Sequence, residues 1–145
     1  MFEINSSNDK LNLLKEDFKS LIQNRLNVSL AEKTISDSWH LSEWVFEEFF
    51  KNINSKEEFR TNLYKECPEL KMAHDVANIS KHKSLSRPKV HIQKTEKIKG
   101  AFSSAFSSGL YVSRLEIHYD EGKISIETLV AINYWETTLC KLKNQ

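Results

Sequence analysis

Histidine, asparagine and aspartate side chains recur at helical spacing between residues 67 and 82. His74, Asn78 and His82 are each four residues apart, so an α-helix would stack them on one face. Asp75 adds a carboxylate next to the first histidine. Because histidine can gain or lose a proton near neutral pH, this row is the first candidate for acid–base chemistry.

A short helix over 68–82 must position that row. Pro68 suits a first helical position, where its missing N–H costs no hydrogen bond, and Glu69 suits the positive end of the helix dipole. The apolar residues at helical spacing are Leu70, Ala73, Val76 or Ala77, and Ile79 or Ser80. This stripe leaves the polar row off the apolar face.

Basic residues begin where the row ends. Residues 81–99 contain seven lysine and arginine residues and one glutamate, although the whole chain carries a net charge of only +1. Such a segment attracts phosphate, or it is a solvated loop that lysines keep in water. The phosphate-binding candidates are Lys81, Lys83, Arg87 and Lys89.

The run Asn78-Ile79-Ser80-Lys81-His82 resembles part of the motif of the HEPN superfamily, a group of all-helical domains common in prokaryotic toxin, antiphage and RNA-processing systems. Its commonest form reads Arg-Asn-x-x-x-His, and Ala77 stands here in the place of the arginine. The resemblance implies a helical bundle that pairs as a homodimer. It also implies a metal-independent endoribonuclease with a degenerate site, or a non-catalytic module that binds a partner protein.

In the catalytic interpretation, His82 would act as acid or base and Asn78 would position His82 or the phosphate. Cleavage through the 2′-OH also needs a cation for the developing phosphorane charge, and that role would fall to Lys81 or Arg87. In the alternative interpretation, His82 is a histidine at a helix C-terminus, where its protonated form is favourable against the dipole.

A metal site is a second possibility for the histidines. His40 and Glu43 are residue types that bind metals, and His74 with Asp75 is a secondary candidate pair. Di-iron bundles use a Glu-x-x-His pattern on paired helices, whereas here the order is reversed and occurs once. We therefore expect no metal and no cofactor.

The three tryptophans fall on or beside apolar stripes and are expected in the core. The two cysteines lack a redox or nucleophile signature.

The predicted architecture is mainly α: a HEPN-like bundle of about five helices with a small β-hairpin before the C-terminal helix. Only three glycines and two prolines in 145 residues favour long helices in a single domain spanning 1–145. The predicted segments are helices over 8–27, 29–53, 56–66 and 68–82, a basic linker and Phe/Ser loop over 83–109, a hairpin over 110–127 and a helix over 128–143.

The predicted location is cytoplasmic. Two cysteines outside any C-x-x-C motif suggest a reducing environment, and neither a signal peptide nor a membrane-spanning apolar stretch is visible in the sequence. The expected partners are a second copy of the chain, RNA or another protein, and no membrane.

Overall fold

A computed structural model describes residues 4–79, 92–98, 114–119 and 122–145. Helices make up most of this structure, and a small antiparallel sheet precedes the last two of them. The elements in chain order are α1 (Ser7–Gln23), α2 (Val28–Val45), α3 (Lys56–Glu66), α4 (Glu69–Ile79), β1 (Ile92–Ile98), β2 (Arg114–Tyr119), β3 (Gly122–Ser125), α5 (Ile126–Leu129) and α6 (Ile132–Lys143). The predicted fold class, a mainly helical protein with a hairpin before its C-terminal helices, is confirmed.

Helix α2 lies in the middle of the bundle, where it packs against α1, α4 and α5. Its apolar residues occupy more than one face, which is typical of a helix surrounded by others. The buried residues of α2 are Ala31, Thr34, Ile35, Ser36, Ser38, Trp39, Leu41, Ser42 and Val45. The chain continues beyond α2 as a π-helical turn, Phe46–Phe50. The long second helix of the prediction therefore consists of an α-helix followed by this wider turn.

Side-chain caps fix where three helices begin. The Ser55 hydroxyl accepts from the Glu58 backbone N–H at 3.1 Å, as its spacing predicts. Ser29 and Glu32 have the three-residue spacing of a capping box, which predicts Ser29 as the cap of α2. This prediction is wrong, because the Asn27 side chain accepts from the Leu30 N–H instead. Helix α1 also begins earlier than predicted, with the Ser6 hydroxyl as its cap.

The sheet has the strand order β1-β2-β3, and both pairs are antiparallel. The hairpin β2–β3 brings Ile117 opposite Ile124 and Tyr119 opposite Gly122. Strand β1 pairs with the other edge of β2, so Thr95 lies opposite Ile117. This strand falls within the predicted linker, and the structure differs from the prediction there because the exposed edge of β2 offers backbone partners.

Parts of the predicted segments lie outside the described residues. They are the end of helix four (80–82), the linker residues 83–91 and 99–100, the Phe/Ser loop (101–109), and residues 110–113 and 120–121 of the hairpin. Within the described part of the chain, no helix combines the length and apolar character needed to cross a bilayer.

The predicted final helix over 128–143 is divided in two at Ala131. This residue has a left-handed backbone with φ of 55°, which interrupts the helical hydrogen bonds between α5 and α6. Ser38 compensates from α2: its hydroxyl donates to the Val130 carbonyl at 2.5 Å and accepts from the Trp135 indole N–H at 3.1 Å. All three residues are buried, so Ser38 connects the start of α6 to the centre of the bundle.

We predict that Ser38→Ala lowers the free energy of unfolding by about 1–3 kcal/mol, because a buried carbonyl and a buried indole N–H both lose their partner. Urea denaturation followed by circular dichroism measures the change. Ser42→Ala is the matched control: Ser42 is equally deep in α2, but among the described residues its hydroxyl bonds only to the Trp39 carbonyl one turn earlier. An equal loss in both variants would contradict the proposed role of Ser38.

Candidate functional site

Helix α4 packs its apolar stripe into the core, and its polar row lies next to this stripe on the helix surface. Leu70, Ala73 and Ala77 are buried, as their spacing predicts. Helix α3 ends at Glu66, directly before Cys67-Pro68, and α4 begins at Glu69. The proline thus separates two short helices and sets the direction of the second, because the residue before a proline is pushed out of the helical region.

A continuous row of hydrogen bonds connects Asp75, His74 and Asn78. His74 Nδ1 lies 2.8 Å from Asp75 Oδ1, and His74 Nε2 lies 2.9 Å from Asn78 Nδ2. An aspartate carboxylate only accepts hydrogen bonds, so in the neutral imidazole Nδ1 carries the hydrogen and Nε2 accepts from the Asn78 amide. The row therefore fixes both the orientation of the ring and that of the Asn78 carboxamide.

Burial makes this row rigid. The side chain of Asp75 is fully buried, and that of His74 is only 15% exposed. Consecutive residues on a helix do not face one another, so the two side chains must turn towards each other to make their bond. A buried carboxylate that holds a histidine in this way orients the ring, an arrangement that catalytic and metal sites also use.

Trp39 on α2 packs against the histidine of this row. Its ring meets the His74 ring edge-on, with centroids 5.0 Å apart, and it lies nearly parallel to the Tyr64 ring at 6.0 Å. Tyr64 belongs to α3, so Trp39 brings three helices together at one point. We call Trp39, Arg60, Tyr64, His74, Asp75 and Asn78 the His74 site.

Arg60 adds a cation to the His74 site. Its guanidinium carbon lies 5.2 Å from the centre of the Trp39 ring, a cation–π distance, and its Nη2 is 4.0 Å from Glu43 Oε1. The Arg60 side chain remains 35% exposed. The guanidinium is thus held against the Trp39 ring, which His74 also contacts, and the partly exposed Arg60 side chain is still accessible to an anion from solvent.

The Tyr64 hydroxyl is buried in the same cluster, and within the described part of the chain it has no hydrogen-bond partner. Burial raises the pKa of Tyr64 to about 12, Arg60 opposes the shift, and Asp75 adds to it. The hydroxyl is therefore protonated at neutral pH and available as a donor. Sequence reasoning missed both α3 residues, although their four-residue spacing shows that they share a helix face.

The structure gives different outcomes for the predicted site residues. It brings together Asn78 and the secondary candidates His74 and Asp75. His40 is half-buried on α2 and is not part of this row. The remaining candidates, Lys81, His82, Lys83, Arg87 and Lys89, lie outside the described residues.

Neither a metal cluster nor a reactive cysteine is found at the His74 site. In the ranges that the structure describes, no group of three His, Cys, Asp or Glu side chains could hold a metal ion. Cys67 is buried and its Sγ donates to Glu69 Oε2 at 3.2 Å. Burial and this acceptor raise the pKa of the Cys67 thiol to about 12, so almost no nucleophilic thiolate exists at neutral pH.

The hairpin lies across a small cavity from another side of α4. Leu115 and Ile117 line a small cavity together with Val76 and Ile79. Val76 is two residues from His74, which places it about 200° around the helix. Leu115 and Ile117 therefore share a cavity with the Val76 side of α4, and the polar row occupies a different face.

Comparisons with known proteins give no match. No protein-family model, no curated protein and no solved structure matches this chain. The candidate function therefore rests on the His74 site and on the motif that follows it in the sequence.

We predict that iodoacetamide at neutral pH modifies only Cys140, which is exposed on α6, because the raised pKa of Cys67 removes its thiolate. Mass spectrometry should find a single adduct per native chain and a second after unfolding in urea. The variant Cys140→Ser should show no adduct in the native state. Rapid labelling of Cys67 in that variant would contradict the buried, protonated thiol.

Proposed function

We propose that this chain is a HEPN-like protein that acts on RNA, with the His74 site and the Asn78–His82 motif forming one surface for a phosphodiester. The observation that carries the proposal is the hydrogen-bonded row Asp75–His74–Asn78, together with the partly exposed Arg60 side chain on the Trp39 ring that His74 also contacts. A homodimer that pairs two such surfaces is part of the proposal.

The row supports this chemistry by preorganisation. Asn78 is held by His74, which is held in turn by the buried Asp75, so the carboxamide needs no rearrangement to contact a phosphate. His82 follows Asn78 by four residues and would supply the acid or base for attack by the 2′-OH. No metal is required for such a cleavage, because the nucleophile is part of the RNA.

Arg60 supports the proposal by supplying the cation that the motif lacks. Ala77, in the place of the motif arginine, is only 3% exposed and belongs to the core, so a charged side chain there would be buried. Arg60 lies on α3 against the Trp39 ring instead, and its planar guanidinium suits two oxygens of one phosphate. We propose that it complements or replaces Lys81 and Arg87 in stabilising the phosphorane.

The second candidate function is a non-catalytic module that binds a partner protein. It is favoured by the engagement of both His74 ring nitrogens in hydrogen bonds and by the complete burial of Asp75. In this case the row fixes α4 against α2, and its residues never meet a substrate.

We predict that the wild-type protein cleaves single-stranded RNA in EDTA and that His82→Ala and Asn78→Ala lose this activity. Each variant removes one participant in the phosphodiester chemistry, and the assay is a gel of end-labelled RNA. His40→Ala is the control, since His40 lies outside the row. Folding is checked by circular dichroism, and the dimer by light scattering.

Three outcomes separate the two functions. Cleavage that is lost in both site variants and kept in His40→Ala supports the ribonuclease. Absence of cleavage with RNA binding that weakens steeply with salt leaves a phosphate-binding surface on an inactive domain. Absence of both cleavage and binding overturns the RNA proposal in favour of the partner-binding module.

We predict that Arg60→Lys lowers cleavage by about tenfold or more, because a lysine ammonium cannot replace a planar bidentate donor. Arg25→Lys is the matched control: its side chain is 32% exposed, near the 35% of Arg60, and its guanidinium is 2.9 Å from Glu127 at a distant point of the bundle. Equal activity in the two variants would exclude Arg60 from the site.

A further inference from the structure

A cavity of about 290 Å³ lies between α3, α6 and the π-helical turn. Its volume is close to the lower end of the roughly 300–1,000 Å³ that ligand pockets occupy, so it suits a ligand of one or two rings. The cavity is on the far side of α3 from the His74 site: Asn62 and Glu66 line the cavity, while Arg60 and Tyr64 face Trp39. A π-helical turn is itself frequent at functional sites.

The inner part of the cavity is aromatic. Phe50 and Phe59 line it with ring centroids 5.0 Å apart, and Tyr134 adds a third ring from α6. Phe50 belongs to the π-helical turn, which sets its position relative to α3. Aromatic rings at the base of a small cavity favour a flat aromatic ligand, because such a ligand stacks on them without losing internal freedom.

The outer part of the cavity is polar. The Tyr134 hydroxyl donates to Glu66 Oε2 at 2.7 Å and holds that carboxylate at the rim. Burial and the Glu66 acceptor both raise the pKa of Tyr134, so it remains a donor over the whole neutral range. The carboxamides of Asn54 and Asn62 lie on the same rim and provide both donors and acceptors.

This mixture of groups distinguishes between ligand classes. An organic cation would need a carboxylate and aromatic rings, but Lys65 also lines the cavity and would repel it. A nucleobase is flat, uncharged and edged with alternating donors and acceptors, which amides and carboxylates read by hydrogen bonds. The cavity offers aromatic rings for stacking on the base and polar side chains for hydrogen bonds to its edge.

We propose that this cavity binds one unpaired nucleobase of an RNA, with the base against Phe50 and Phe59 and its edge at Asn62 and Glu66. The inference rests on the proposed function and deepens it, since it adds a base-recognition pocket to a phosphodiester site. A helix with its side chains is about 10–12 Å across. A strand that crosses α3 from one site to the other would use about three nucleotides at roughly 3.4 Å each.

The test is a titration of the purified protein with AMP, GMP, CMP and UMP, followed by amide NMR spectra. We expect at least one mononucleotide to shift the signals of the cavity residues, and we expect Asn62→Ala to weaken its binding by about fivefold or more. Asn52→Ala is the matched control, because Asn52 is an exposed asparagine in the neighbouring turn and does not line the cavity. Tyr134→Phe keeps the ring, removes the hydroxyl that holds Glu66 and should also weaken binding.

The outcomes separate this inference from the proposed function. Shifts confined to the cavity that are lost in Asn62→Ala support it. If RNA is cleaved or bound while no mononucleotide shifts the cavity signals, the base pocket is overturned and the RNA function stands. Equal binding in Asn62→Ala and Asn52→Ala also overturns the pocket. If a mononucleotide binds the cavity but the protein neither binds nor cleaves RNA, recognition of an RNA base is overturned together with the proposed function.

Discussion

The packing of Trp39 is the interaction on which both the bundle and the candidate site depend. Its indole is 3% exposed and touches His74 on α4 and both Tyr64 and Arg60 on α3. A buried tryptophan removes a large apolar area from water, so these contacts stabilise the fold and also fix the positions of His74, Tyr64 and Arg60. The polar groups of the His74 site are therefore as well fixed as the core beside them.

Helix α3 is short, yet it separates two different environments. One face carries Arg60 and Tyr64 towards Trp39, and the opposite face carries Asn62 and Glu66 towards the aromatic cavity. The break at Cys67-Pro68 lets α4 leave α3 in a new direction, so residues close in sequence reach different sides. If the chain binds RNA, this helix is the element that a strand would cross.

Buried polar side chains give the bundle its specific arrangement. Ser38 satisfies the Val130 carbonyl and the Trp135 indole N–H where the left-handed Ala131 interrupts the last helix. Asp75 and His74 satisfy each other beside Trp39. Because a buried polar group without a partner is costly, each pair excludes helix positions that apolar packing alone would tolerate.

The sequence by itself determined the local elements. Periodicity, the Ser55 cap, Pro68 and the alternation before Ser125 encode the helices and the hairpin, since these depend on neighbouring residues. The four-residue spacing likewise placed His74 and Asn78 on one face. Only the tertiary structure decided that Arg60, Tyr64 and Trp39 surround His74, that β1 pairs with β2, and that α3 and α6 enclose a cavity. These contacts join residues from different elements, and their geometry follows from how the helices pack, which no local pattern records.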